Sequence, residues 1–353
     1  MEYEHDAWQT SPNDLTYEFR AFTSSFDSSD DNDGDGTPDI WAIPEWVSYE
    51  IHAGGERPEY ESRPSTWMTI PELYDDGIAP RDKSYVRSGY QRGHLCTREL
   101  ARRLGKNADW NSHNVLNAIP QPGAFNRGHW RGIEKWTAIW ANTYGKIWVI
   151  AGPIILNQAG NARPSKWIGD RSELPVAVPQ KCFKIVVKES GNRNRPDVLA
   201  FIYKNDAALD KSSLSIDHRG FLFSVRDVEA ATGLDFFSGL SQSDQDAIES
   251  RKSTALWPGP DGHDRDSYVR AISSGGIRSL GIIAPADILD CGLQMMARID
   301  AEFDAADAAE ITAHAQADLP DDSTAPPTMP SFPCRSKRRC LGLLFQRLLL
   351  RCR

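Results

Sequence analysis

The residues best suited to chemistry lie between Gly89 and Trp140. An Arg92-Gly93-His94 triplet is followed by Pro120-Gln121, and then by Asn126, Trp130 and Glu134. An imidazole takes a proton from water near neutral pH, and a neutral amide oxygen can hold a hard cation. Arginine supplies positive charge where a phosphoryl group gains negative charge. Together these are the parts of a metal-assisted phosphodiesterase. Asn126, Trp130 and Glu134 fall at i, i+4 and i+8. On one continuous α-helix they share an edge, with Asn126 and Glu134 about 12 Å apart along the axis at roughly 1.5 Å per residue. That distance argues against both holding one ion, so the spacing puts Asn126 on the metal and Glu134 on one of its waters.

Several neighbours carry two readings. The amides of Asn117 and Gln121 either position metal waters or hold the loop to His94. Arg127, Arg131 and Lys135 repeat at i, i+4 and i+8, as do Arg98, Arg102 and Lys106. Each row either tracks a phosphate backbone or is a solvated helix face. His113 and His129 are rivals to His94 as general base. Trp130, Ile133, Thr137 and Trp140 form the stripe expected to pack the helix on a sheet.

The elements that must position these residues are legible on either side. Trp46, Val47, Tyr49 and Ile51 suggest a partly buried strand, and Lys146–Leu156 is rich in Ile and Val as a buried strand is. Cys182–Val187 and Val198–Tyr203 read as two further strands. Ser224 fits an N-cap for a helix over Val225–Thr232, with Gly233 just past its end. The apolar stretch Leu280–Met296 is expected to close the core. Ala301–Ala317 has good helix propensity.

Taken in order, these segments resemble the DNA/RNA non-specific endonucleases of the ββα-metal type. The usual family motif is Asp-Arg-Gly-His, and here Gln91 stands where the Asp is found. The likeness extends to Trp46–Ile51, Ile147–Ile154 and Phe223–Leu234 in the family's order. The resemblance implies an α+β fold, with a central, mostly antiparallel sheet flanked by helices and crossed by a ββα-metal finger. It implies hydrolysis of phosphodiester bonds in DNA and RNA with Mg²⁺, or Mn²⁺ in its place. Asn126 would hold the ion, Glu134 one of its waters, and His94 would be the base. Arg92 is the natural partner of a phosphate oxygen. Arg63, ahead of Trp67, resembles a second family arginine, with Arg57 competing in the same loop. Gln91 accepts hydrogen bonds without adding charge, which puts the pH optimum in question. A nucleic-acid-binding module with impaired catalysis and a phosphodiesterase acting on smaller substrates are the alternatives.

Composition bounds the rest. The 353 residues carry a net charge of −9, unevenly placed. Residues 1–40 hold eleven acidic side chains against Arg20 alone, while residues 334–353 hold seven Lys/Arg and no acid. Overall acidity does not exclude nucleic acid, because binding needs only a local basic groove. The expected organisation is an acidic segment over 1–40, a nuclease domain over 41–297, and a helical then basic tail over 298–353. Asp31, Asp33, Asp35 and Asp39 sit in a D-x-D-x-D-G pattern that reads as a solvated linker or as the front half of a Ca²⁺ loop. The Glu expected twelfth in such a loop is replaced by Ala42. No C-x-x-C pair occurs among the six cysteines, so zinc and dithiol redox motifs are not indicated. No secretory signal and no transmembrane run are visible, although export is common among the family it resembles.

Overall fold

The computed structural model describes residues 15–26, 40–54, 64, 66–155, 163–169, 172–190, 195–206, 214–273 and 291–317. Strands β1 (Leu15–Glu18), β2 (Thr23–Phe26) and β3 (Pro44–His52) precede a separate ladder of β4 (Gln91–His94) and β5 (Ala118–Gln121). Then come β6 (Lys146–Ile154), the short pair β7 (Trp167–Ile168) and β8 (Val176–Ala177), and β9 (Lys181–Lys188). β10 (Asp197–Lys204) and β11 (Leu222–Phe223) complete the set. The main sheet has seven strands ordered β1-β2-β3-β6-β9-β10-β11, and every neighbouring pair is antiparallel. This is the helix-flanked antiparallel sheet the sequence led us to expect.

The strands read as almost continuous apolar runs because both faces of the sheet are covered. Along β6, Ile147, Val149 and Ala151 join the cluster under helix Arg131–Tyr144. Trp148, Ile150 and Ile154 point the other way, into a cluster with Val225 and Val228. Those two valines belong to helix Val225–Thr232, whose capping box pairs Ser224 with Asp227 and whose Gly233 adopts a φ of 79°. Only glycine takes that left-handed conformation without strain, so the helix stops where the sequence indicated.

The finger is inserted between β3 and β6. β4 and β5 pair antiparallel, with Gln91 opposite Gln121 and His94 opposite Ala118. The helix that follows is not continuous. A helical turn at Gly123–Phe125 leads to a wide π-type turn over Asn126–Trp130, kinked at Gly128 (φ −96°, ψ −107°), before regular α-helix over Arg131–Tyr144. The even 100° per residue of an α-helix therefore does not run from Asn126 to Glu134.

Trp130, Ile133, Thr137 and Trp140 are all fully buried, as the stripe predicted. The opposite side of this helix is buried as well, because helix Cys291–Ala317 lies across it. Buried Lys135 reaches Asp300 at 2.8 Å and Asp304 at 2.6 Å, and Met296, Ile299 and Phe303 are inside.

The packed unit is thus wider than the expected limits of 41 and 297. Residues 15–26 join the sheet edge through backbone pairing, which an unpatterned stretch such as Thr23-Ser24-Ser25 does not announce. Residues 298–304, placed with the helical start of the tail, use Asp300 and Asp304 to meet Lys135. The acidic loop Asp31, Asp33, Asp35 and Asp39, residues 280–290 and the basic tail lie outside the described residues. Among those described, no helix is long and apolar enough to cross a membrane.

Candidate active site

His94 ends β4 and is 8% exposed. Its ring is held by aromatic neighbours, with Trp67 at 4.5 Å and His113 at 5.3 Å between centroids. Its carbonyl accepts the Trp130 indole N–H at 2.9 Å, which ties the strand to the helix of the finger. Trp67 is itself fixed from behind. Its backbone N–H donates to Asp82 Oδ1 at 3.3 Å, and the same oxygen meets Arg92 Nε at 2.7 Å. Arg92 Nη2 also donates to the Asp82 carbonyl. Where the sequence suggested a partner for a phosphate oxygen, the Arg92 guanidinium is buried and braces the wall of the His94 seat. Trp67 and Asp82 were not singled out from the sequence, because they gain importance only through packing across the fold.

Asn126 opens the wide turn and remains partly exposed. Its Nδ2 donates to Gln91 Oε1 at 3.0 Å. That bond fixes the amide orientation and leaves Oδ1, which takes no protein donor among the described residues. A partly exposed amide oxygen with its rotamer held is a suitable donor for a hard cation. Gln91, marked in the sequence only as a departure from the family pattern, is thus the residue that aims Asn126.

Gln121 and Asn117 are both fully buried. The Gln121 side chain lies across Gly93, where an added Cβ would fall 2.1 Å from Oε1. This is why position 93 must be glycine: the next strand's side chain occupies the place of a Cβ. Asn117 gives both side-chain groups to backbone, accepting from Cys96 N and donating to the Cys96 and Ser112 carbonyls, each at 2.8 Å. Holding the loop after His94 is its role.

Glu134 is 2% exposed and faces inward. Arg131 approaches it at 3.7 Å. Burial pushes the Cys96 thiol and the Tyr49 hydroxyl up, and the negative charge of Glu134 adds to both shifts. Burial lowers Lys184, with Glu134 opposing the shift. The Lys184 ammonium sits 4.4 Å from the Trp130 ring centre and 3.4 Å from Tyr49 Oη. Glu134 therefore belongs to a buried charge group beneath the finger.

The basic rows do not form phosphate tracks. Arg98 is closed on Asp109 through contacts of 2.5 and 3.0 Å. Arg131 is buried against Glu99 at 3.0 Å and donates to the Phe303 carbonyl. Both were expected at the substrate surface. The kink at Gly128 and the covering last helix turn Arg131 inward, while Asp109, eleven residues on, captures Arg98. Arg127 differs. It is partly exposed, with its guanidinium over Gly123, and among the described residues it meets no carboxylate. Arg63 lies outside the described residues. His129 packs on Phe221 at 4.9 Å, and burial lowers its pKa.

A two-strand-and-helix finger bearing His94 and Asn126, set against an antiparallel sheet, is the architecture of a ββα-type nuclease. Residues 39–243 match the model of the DNA/RNA non-specific endonuclease family, and the chain belongs to that family. Nuclease EXOG, mitochondrial, of Homo sapiens is 26% identical over 204 residues, covering 57% of this chain and 54% of that protein. The mitochondrial nuclease of Saccharomyces cerevisiae (strain ATCC 204508 / S288c) is 24% identical, covering 58% and 63%. A nuclease of Nostoc sp. (strain PCC 7120 / SAG 25.82 / UTEX 2576) is 27% identical, covering 58% and 71%. The match to the human protein thus spans about half of that relative's length. The crystal structure of an EndoG/EndoGI complex aligns with a TM-score of 0.54 at 21% identity, covering 70% of this chain and 96% of that one. At that identity the match speaks for the fold alone.

Proposed function

We propose that this chain is a metal-dependent endonuclease that hydrolyses phosphodiester bonds in DNA and RNA without base preference. The observation that carries the reading is the Gln91–Asn126 hydrogen bond within the finger that also holds His94. One neutral amide oxygen, held in place and open to water, suits an ion that keeps most of its hydration shell, as Mg²⁺ does. When bound, such an ion would neutralise charge on the phosphate and its leaving oxygen.

His94 takes a proton from the attacking water. Trp67 and His113 limit the ring's motion, and Trp130 fixes the backbone that carries it. Asn126 would hold such an ion, and Glu134 would act on it through one of its waters. Arg127 and Arg63 supply positive charge to the substrate backbone, which carries no sequence information. Arg92 acts indirectly, through Asp82 and Trp67.

The deciding experiment is incubation of purified protein with plasmid DNA and with RNA, in Mg²⁺ and in EDTA. Cleavage of both that EDTA stops supports the reading. Retardation of uncut nucleic acid in Mg²⁺ would point to a binding module instead. Cleavage of a small chromogenic diester alone would point to a narrower phosphodiesterase.

A further inference from the structure

Three carboxylates gather on the far side of the main sheet from the finger. Glu229 stands on helix Val225–Thr232, Asp235 on the connection after Gly233, and Glu249 at the end of helix Gln242–Glu249. One oxygen from each lies within 4.8 Å of the other two. Val225, Val228 and Ile248 of these helices pack on Phe183, Ile185 and Ile202, whereas the finger packs on the opposite face. The sheet therefore separates this group from Asn126.

Surface carboxylates often cluster without purpose, solvated and harmless. Glu249 is different, because it is 2% exposed. Its Oε1 has no hydrogen-bond partner among the described residues. Its other oxygen is approached by Arg226 at 3.6 Å, which is longer than a hydrogen bond, and Arg226 also serves Asp246. Glu229, by contrast, accepts the Phe236 backbone N–H at 2.9 Å. A buried ionised oxygen without a donor is strongly unfavourable, and such groups in folded proteins ordinarily have a partner.

We propose that Glu229, Asp235 and Glu249 bind a divalent cation, and that calcium fits best. Three protein carboxylates on one ion suit Ca²⁺, which takes six to eight oxygen ligands in flexible geometry, whereas Mg²⁺ keeps several waters and is usually held by one or two carboxylates. A divalent ion would offset most of the charge of the three carboxylates, which Arg226, closed on Asp246, does not neutralise. Without the ion, burial pushes Glu249 up to about 7, with the neighbouring Glu229 adding to the shift. The bound ion joins two helices and the Asp235–Phe237 connection into one clamp on this face of the sheet. The proposal does not depend on the nuclease reading.

The test is thermal melting of the full chain, first in EDTA and then in a calcium titration. A rise of roughly 5 °C is expected at a hundredfold excess over Kd. Two other places could take calcium, so Asn126→Ala and Asp35→Asn are measured in parallel, and the rise should persist in both. It should vanish in Asp235→Asn and in Glu249→Gln. Asp235 is partly exposed, so Asp235→Asn is the safer fold; Glu249→Gln should melt above wild type in EDTA at pH 8, where the buried carboxylate it removes is charged. Calorimetry on an Asn126→Ala/Asp35→Asn double variant should count one calcium per chain. No rise in wild type, a rise that survives Asp235→Asn and Glu249→Gln, or one lost with Asp35→Asn would each overturn the proposal.

Discussion

Replacing Gln91 by Met keeps the length of the side chain and removes its acceptor, which isolates the bond to Asn126. That bond is neutral to neutral, 3.0 Å long and only partly buried. A hydrogen bond of this kind contributes about 0.5–1.5 kcal/mol net. If its work is to hold the Asn126 amide toward the ion, that energy appears in metal affinity. The dissociation constant for Mg²⁺ should rise roughly 2- to 13-fold, since about 1.4 kcal/mol is a factor of ten. Cleavage at sub-saturating Mg²⁺ should fall by the same factor and recover at high Mg²⁺, because His94 is untouched. Folding should hardly change, as the backbone pairing of Gln91 with Gln121 does not involve the side chain. Gln91→Glu keeps an acceptor and adds charge, and charge-assisted bonds are worth about 1.5–3 kcal/mol. That variant should bind Mg²⁺ at least as tightly as wild type. Calorimetric titration of the metal in the absence of nucleic acid reads both. Wild-type affinity in Gln91→Met, or equal losses in Met and Glu, would refute the orienting role.

Further expectations can be tested alongside. His94→Ala should lose roughly 10²–10⁴-fold in cleavage with metal binding kept, whereas His129→Ala should stay near wild type; the reverse pattern would remove His94 as base. Asn126→Ala should weaken metal binding and cleavage together, while Glu134→Gln should lower activity roughly 10–100-fold with metal still bound. Calorimetry on the pair reads this, and metal binding lost only in Glu134→Gln would reverse the two roles. Gly93→Ala should destabilise by about 1–3 kcal/mol or more, because its Cβ would collide with the buried Gln121 side chain. Adding Gln121→Ala should return part of that loss in denaturant melts, and simple additivity would show that the collision is not the cause. Burial lowers His218 to about 3, where it shares a 2.9 Å contact with Tyr203 Oη. Its folded pKa lies below the unfolded value, so the unfolded chain binds more protons as pH falls below about 6.5. Stability should then fall by about 1.6 kcal/mol between pH 6.5 and 5, and a His218→Gln variant should lose that slope.

The sequence alone was enough to find the finger and the sheet. Arg92-Gly93-His94, the Asn126-to-Glu134 spacing and the Ile/Val-rich strands are local signals, set by side-chain type and by periodicity over a few residues. Ser224 and Gly233 delimit their helix because caps act on the backbone within one turn. The uses of the charges were decided only by the tertiary structure. Arg98 and Arg131 spell a basic face, yet Asp109 and Glu99 take them, because an ion pair forms with whichever acid the chain brings near. Arg92 looks like a phosphate ligand until Asp82, ten residues earlier, is seen to hold it. An α-helical count from Asn126 to Glu134 fails at a kink that no spacing reveals. Gln91, read as a missing charge, becomes the residue that aims Asn126 only when β4 lies beside the start of the wide turn. The bare oxygen of Glu249 is invisible in sequence for the same reason. Whether an acidic side chain is solvated or buried depends on what other parts of the chain pack over it, and residue type does not encode that.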